Sequence, residues 1–89
     1  MALLLVTYEL AEQGQINSNL LNEINSYSNI RLSGSSYAII TDKSPSRVCG
    51  ELKQYIDAND KLFVINLKGP YDGYGSELAN DWLKKTLAH

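Results

Sequence analysis

The chain has 89 residues, of which 44% are hydrophobic and 20% are charged, and its formal net charge is −2. This composition predicts one folded domain and excludes a disordered polar chain. The eight lysines and arginines are scattered among ten acids, so the sequence lacks the basic patch that is typical of nucleic-acid-binding domains. Cys49 is the single cysteine, which excludes an internal disulfide and favours a cytoplasmic protein.

The first two predicted elements are a strand and a helix. Residues 2–8 form a continuous apolar run, which is typical of a strand buried on both faces and is far too short to cross a membrane. Gly14 marks the break that follows. Apolar side chains then recur at helical spacing and predict an amphipathic helix; they are Ile16, Leu20, Ile24 and Tyr27.

The middle of the chain predicts a hairpin, a helix and a strand. Turn-forming residues at 33–36 divide the run 29–41, so we predict two short strands joined as a hairpin, with a single bulged strand as the alternative. Ser44 and Pro45 then open a helix, because serine caps free amides and proline suits the first helical position. We expect that helix to end at Asn59 and Asp60, before a strand over residues 61–67.

The end of the chain predicts a loop and a last helix. Three glycines and one proline lie within residues 69–75, which indicates irregular structure. From about Ser76 to Leu87, apolar residues again share one helical face. Lys84 and Lys85 fall in the last turns of this helix, where positive charge complements the helix dipole.

The predicted order is β-α-β-β-α-β-α, which is an α+β fold: a ferredoxin-like βαββαβ domain over residues 1–89 with an extra C-terminal helix. Two helices cover only one face of a four-stranded sheet, whereas the predicted strands are apolar on both faces. Monomers rarely expose a large apolar patch. We therefore expect the second face to be covered by the last helix, by a second subunit, or by both.

Four short segments, spread over nearly the whole chain, resemble a known family. They are residues 5–10 (LVTYEL), 36–42 (SYAIITD), 59–64 (NDKLFV) and 81–84 (DWLK). Together they resemble the SinR-like family of small bacterial and phage proteins. That family is in turn similar to the small CRISPR-associated ferredoxin-like subunit that works in spacer acquisition.

The resemblance implies a homodimer and, as in some of these relatives, metal-dependent nuclease activity. The relatives share an Asp after an aromatic residue at the end of the first strand, where this chain has Tyr8 followed by Glu9. Glutamate is one methylene longer and would place a Mg²⁺ ion differently. Glu9 is therefore a candidate metal ligand, two copies of which could hold one Mg²⁺ across a dimer axis. The alternative for Glu9 is a solvated acid at a strand end.

Further candidate residues concern contacts with a partner. Tyr71, Asp72 and Tyr74 lie in the glycine-rich loop, and the two rings could stack on a base or anchor another protein. The loop lacks the Gly-Lys-Ser ending of a phosphate-binding loop, and glycine-dependent turn geometry is the alternative explanation for it. Tyr8 is also a candidate for a partner contact. Trp82 is another, with a core position on the last helix as its alternative.

Two functional hypotheses follow from the sequence. We expect a non-enzymatic homodimeric interaction or regulatory module of bacterial or phage origin, which binds itself and another protein and needs no cofactor. This rests on the two-faced apolar sheet, the acidic balance and the lack of a catalytic motif. The alternative is a Mg²⁺-dependent nuclease or nucleic-acid-binding protein, which rests on Tyr8, Glu9 and the shared topology.

Overall fold

A computed structural model of the chain describes residues 2–12 and 17–87. Its elements follow the predicted order; they are β1 (Ala2–Glu9), α1 (Ser18–Asn25), β2 (Ser28–Ser33), β3 (Ser36–Thr41), α2 (Pro45–Lys53), β4 (Lys61–Asn66) and α3 (Glu77–Leu87). The strands form one antiparallel sheet in the spatial order β2-β3-β1-β4. This is the ferredoxin-like α+β fold with an added C-terminal helix, as predicted. No helix within the described ranges is long and apolar enough to cross a membrane.

The hydrophobic core lies between one face of the sheet, here called the inner face, and the helices α1 and α2. Side chains alternate between the two faces of a strand, so β1 and β3 each contribute every second residue to the core. The helices contribute apolar residues at helical spacing. The buried members of this core are Leu4, Val6, Leu20, Ile24, Tyr37, Ile39, Val48 and Leu52.

Helix α1 is shorter than the sequence pattern predicts. It begins after Asn17, whose side-chain Oδ1 accepts the backbone N–H of Leu20 at 3.0 Å. It ends before Ser26, whose N–H and hydroxyl both donate hydrogen bonds to the carbonyl of Glu23. Tyr27 therefore lies beyond the helix, although it still packs against the core. Gly14 and Ile16 lie outside the described residues.

Helix α2 ends at Lys53, so the prediction that it reaches Asn59 was wrong. The carboxylate of Asp60 accepts the backbone N–H of Asp57 at 2.9 Å and that of Ala11 at 2.7 Å. The hydrogen bond from Ala11, and then that from Asp57, hold the pKa of Asp60 below its usual value. A short polar side chain that bonds nearby amides competes with helical hydrogen bonding, which explains why the turn replaces the end of the predicted helix.

The predicted hairpin is confirmed, and the alternative of one bulged strand was wrong. β2 and β3 are joined by the two residues Gly34 and Ser35. The pairing is nevertheless irregular within β2, because Ser33 lies opposite Ser36 whereas Arg31 lies opposite Tyr37. Because one extra residue in a strand reverses the alternation of side chains, Arg31 shares the inner face with Tyr37.

The last helix covers part of the opposite, outer face of the sheet. α3 contacts β2, and Ala38, which lies opposite Leu5 on the outer face, is fully buried. One of the expected covers, the last helix of the same chain, is therefore present. On β4 the same face remains open to water, because Phe63 is 59% exposed and Ile65 is 50% exposed.

The packing of the core predicts that two leucines contribute very differently to the free energy of unfolding. Leu4 is fully buried between the sheet and both helices, whereas Leu78 on α3 is 71% exposed. We expect Leu4→Ala to lower the free energy of unfolding by about 2–5 kcal/mol. The matched change Leu78→Ala should alter it by no more than about 0.5 kcal/mol. Urea denaturation followed by circular dichroism measures both, and equal losses would contradict this packing.

Candidate functional site

Tyr8 and Glu9, adjacent at the end of β1, lie on opposite faces of the sheet. Glu9 lies on the outer face opposite Lys61 of β4, with its carboxylate 3.4 Å from the Lys61 Nζ. Both side chains are mostly exposed, so this ion pair contributes little to stability. Within the described ranges, no three His, Cys, Asp or Glu side chains come together as a metal-ligand group. Glu9 as a metal ligand stays a prediction.

The loop before α3 borders an open cavity of about 560 Å³. The Tyr71 hydroxyl donates to the Asn80 carbonyl at 3.1 Å, and this bond ties the loop to the helix. The Ser76 hydroxyl accepts the Ala79 N–H and caps the first turn of α3. The cavity is lined by Tyr71, Asp72, Gly73, Gly75, Glu77, Asn80, Asp81 and Lys84.

The other candidate residues in this loop and in α3 differ in how far their side chains are exposed. Asp72 is exposed, and its carboxylate accepts the N–H of Gly73 at 2.9 Å. Tyr74 is fully exposed, so its ring is available for a partner. Trp82 is half-buried within α3, and its backbone carbonyl accepts a hydrogen bond from the Thr86 hydroxyl. The structure therefore groups Tyr71 with Asp72, but Trp82 does not line the cavity.

Tyr8 lines a second cavity, of about 250 Å³, on the inner side of the sheet. The cavity lies where the end of β1, the β2–β3 turn and the start of α1 meet, and we call it the tyrosine–arginine cavity. The Tyr8 N–H donates to the Ser35 carbonyl, which joins β1 to the turn. Its lining consists of Tyr8, Leu10, Asn17, Leu21, Arg31, Gly34 and Tyr37.

Three polar groups meet in the tyrosine–arginine cavity. Tyr37 of β3 lies opposite Arg31 of β2, and Tyr8 follows Val6, the partner of Tyr37 on β1, by two residues. Tyr8 and Tyr37 are thus diagonal neighbours, within reach of long side chains. Burial raises the pKa of Tyr8, and the neighbouring Tyr37 raises it further, whereas Arg31 opposes the shift. The Tyr8 hydroxyl is therefore protonated at neutral pH.

Sequence reasoning singled out Tyr8, considered Arg31 only for a cluster with Lys43 and Arg47 near the hairpin, and did not join Tyr37 or Arg31 to Tyr8. The alternation of side chains in β1 was a signal that Tyr8 lies on the inner face, because it follows Leu4 and Val6 at every second residue. Arg31 could not be found in this way, because a regular two-residue hairpin would pair Leu32 with Tyr37. The irregularity in β2 alone brings Arg31 opposite Tyr37.

A third feature is an apolar surface on the outer face. Phe63 and Ile65 of β4 lie opposite Thr7 and Leu5 of β1. Leu5 is half-buried and extends the apolar surface next to Ile65. We call Leu5, Phe63 and Ile65 together the β4 strip.

Comparison with known proteins supports the fold. No protein-family model and no curated protein matches the chain. A solved structure, that of a hypothetical protein TT1823 from Thermus thermophilus, is similar to it with a TM-score of 0.66 and 18% sequence identity. The similarity covers 84% of this chain and 92% of that protein. At 18% identity this similarity shows a shared fold alone, because proteins with one fold can have many different functions.

The hydroxyl of Tyr71 offers a test of how the loop is held. We expect Tyr71→Phe to lower the free energy of unfolding by about 0.5–1.5 kcal/mol, because it removes the hydrogen bond to Asn80. Tyr74→Phe makes the same chemical change at a fully exposed ring and should leave stability unchanged. Urea titration of both variants gives the comparison; a Tyr71 variant as stable as the parent would show that the bond does not hold the loop.

Proposed function

We propose that this chain is a non-enzymatic homodimeric interaction module whose two copies pack together through the β4 strip. The observation that supports this most directly is the exposure of Phe63 and Ile65, which is 59% and 50% on a face that α3 covers only in part. Burying one such side chain completely is worth about 1.5–3 kcal/mol. Two copies related by a twofold axis would bury each strip against its counterpart.

The surroundings of the β4 strip suit such an interface. A dimer of standard size buries about 800 Å² on each partner, or about an eighth of the 6059 Å² that this chain exposes. The strip supplies the apolar centre of that area. The exposed pair of Glu9 and Lys61 supplies charged residues at its rim, which is the usual arrangement in protein interfaces.

Two finer features belong to the same proposal. The single cysteine fits a reducing compartment, so we place the module in the cytoplasm of a bacterium or of a phage-infected cell. The fully exposed ring of Tyr74 is the residue that we propose for contact with a further protein, because exposed tyrosines are frequent anchors in interfaces.

The β4 strip predicts a dimer that two polar substitutions disrupt. We expect the parent chain to sediment as a dimer at micromolar concentration. The double variant Phe63→Thr, Ile65→Thr should sediment as a monomer, because threonine keeps the preference for strand structure but removes the apolar contact. Analytical ultracentrifugation over a concentration series measures the shift.

The matched control for this experiment is Leu78→Thr, which makes a similar change at an exposed leucine outside the strip. This variant should remain a dimer, and circular dichroism should show that every variant is folded. A parent chain that is monomeric at tens of micromolar would refute the proposal, and so would a dimer that the double variant leaves intact.

The second candidate function, a metal-dependent nuclease, has one structural observation in its favour. Glu9 lies on the same face as the β4 strip, so a dimer formed through the strip would bring two copies of Glu9 to one interface. The ion pair with Lys61 opposes this candidate, since it gives the carboxylate a partner other than a metal. The basic residues Lys43 and Arg47 also lie against an acid, Glu51, at 2.7 Å and 3.7 Å.

A nuclease assay separates the two functions. With Mg²⁺ or Mn²⁺ and single- or double-stranded DNA and RNA, we expect no cleavage by the parent chain above that of Glu9→Ala. The exposed Glu12 provides the matched control variant, Glu12→Ala. Metal-dependent cleavage that Glu9→Ala abolishes and Glu12→Ala retains would replace the first proposal with the second.

A further inference from the structure

The tyrosine–arginine cavity contains two tyrosine hydroxyls and an arginine side chain whose donors are only partly used by hydrogen bonds within the described residues. It lies on the inner face near the β2–β3 turn, whereas the β4 strip lies on the outer face. An inference about the cavity therefore does not rest on the proposed dimer.

The hydroxyl of Tyr37 is the first of these groups. Tyr37 is only 6% exposed, and its hydroxyl has no hydrogen-bond partner among the residues that the structure describes. In the same residues, no fully enclosed side-chain oxygen or nitrogen lacks a partner. The Tyr37 hydroxyl is therefore not enclosed, and the small exposed part of this side chain includes it. Tyr37 is one of the residues that line the cavity.

The guanidinium of Arg31 is the second group. Its Nε and Nη2 each donate to a carbonyl of the turn, those of Ser33 and Gly34, at 3.1 Å. These bonds hold the guanidinium in place but use only part of its five N–H donors. No carboxylate in the described ranges lies within ion-pair distance of Arg31. Its positive charge is thus positioned by the backbone and is not neutralised by an acid.

The remaining lining determines what kind of ligand fits. The Tyr8 hydroxyl likewise has no partner in the described part of the chain, and Leu10 and Leu21 provide apolar walls. Asn17 is occupied, since its side chain accepts from Leu20 and donates to the Tyr55 carbonyl. The polar chemistry that is left is two hydroxyl donors and one cation, which calls for a negatively charged acceptor.

We propose that the tyrosine–arginine cavity binds the oxyanion group, phosphate or carboxylate, of a small ligand. Its oxygens accept hydrogen bonds from Tyr8, Tyr37 and Arg31, and Arg31 supplies the opposite charge. A volume of about 250 Å³ is slightly below the range of about 300–1,000 Å³ that holds drug-sized molecules. The cavity therefore suits a compact ligand or the charged end of a longer one.

Titration of the full chain with simple anions tests the proposal. Amide chemical shifts are followed by nuclear magnetic resonance with sodium phosphate, with sodium acetate, and with sodium chloride at equal ionic strength. We expect saturable shifts around Tyr8, Arg31 and Tyr37 with phosphate or acetate and none with chloride. Saturation by phosphate assigns a phosphate group to the ligand, and saturation by acetate assigns a carboxylate.

Matched variants test which groups bind the anion. Tyr37→Phe keeps the buried ring and removes only the hydroxyl, and it should weaken binding about tenfold. Arg31→Gln should weaken binding at least as much. Arg47→Gln removes one positive charge from an exposed side chain elsewhere and should bind like the parent.

Three results would overturn the proposal. The first is that neither phosphate nor acetate saturates the shifts, and the second is that chloride produces the same shifts. The third is a folded Tyr37→Phe variant that binds as tightly as the parent. The oligomeric state is recorded in each titration, so failure of the anion site and failure of the proposed dimer are distinguishable.

Discussion

Two crossover helices can cover only one face of a four-stranded sheet, and this constraint explains most of the architecture described above. α1 and α2 bury the inner face and form the core around Leu4 and Ile39. The outer face is also apolar, so the chain needs a further cover. α3 provides it over β2, and Ala38 of the neighbouring β3 is fully buried, but Phe63 and Ile65 on β4 stay about half exposed to water.

The inner face is also incompletely covered by helices, at the end of the sheet near the β2–β3 turn. α1 contacts β2 and α2 contacts β4, and the space near the β2–β3 turn is lined by Tyr8, Tyr37 and Arg31, among others. Tyrosine suits such a border, because its ring packs against the core while its hydroxyl reaches the edge. The two proposed sites are thus both places where the helical cover of the sheet ends, one on each face.

The β4 strip and the tyrosine–arginine cavity differ in chemistry because different side chains line them. At β4 the exposed groups are apolar, and the nearby charges of Glu9 and Lys61 are already paired with each other. In the tyrosine–arginine cavity the available groups are hydroxyls and an unneutralised cation. An apolar strip suits a second copy of the chain, whereas polar donors in a small cavity suit a charged ligand. The likeness to the Thermus thermophilus protein concerns the fold alone.

The sequence by itself determined the order of elements, the hairpin, the glycine-rich loop and the cap at Ser44, because these depend on short-range patterns: alternation, helical spacing and the geometry of Pro and Gly. It misjudged the ends of α1 and α2. The Ser26 side chain bonds to the backbone where α1 ends, and the Asp60 side chain holds a turn at residues 57–60, which lie beyond the end of α2. Only the tertiary structure decided which part of the outer face α3 covers, since that depends on how the helix packs. The tertiary structure also decided that Arg31 lies beside Tyr8 and Tyr37. One extra residue in β2 moves each residue before it to the other face of the sheet. Only the pairing of the strands reveals this extra residue, since composition and spacing do not change with it.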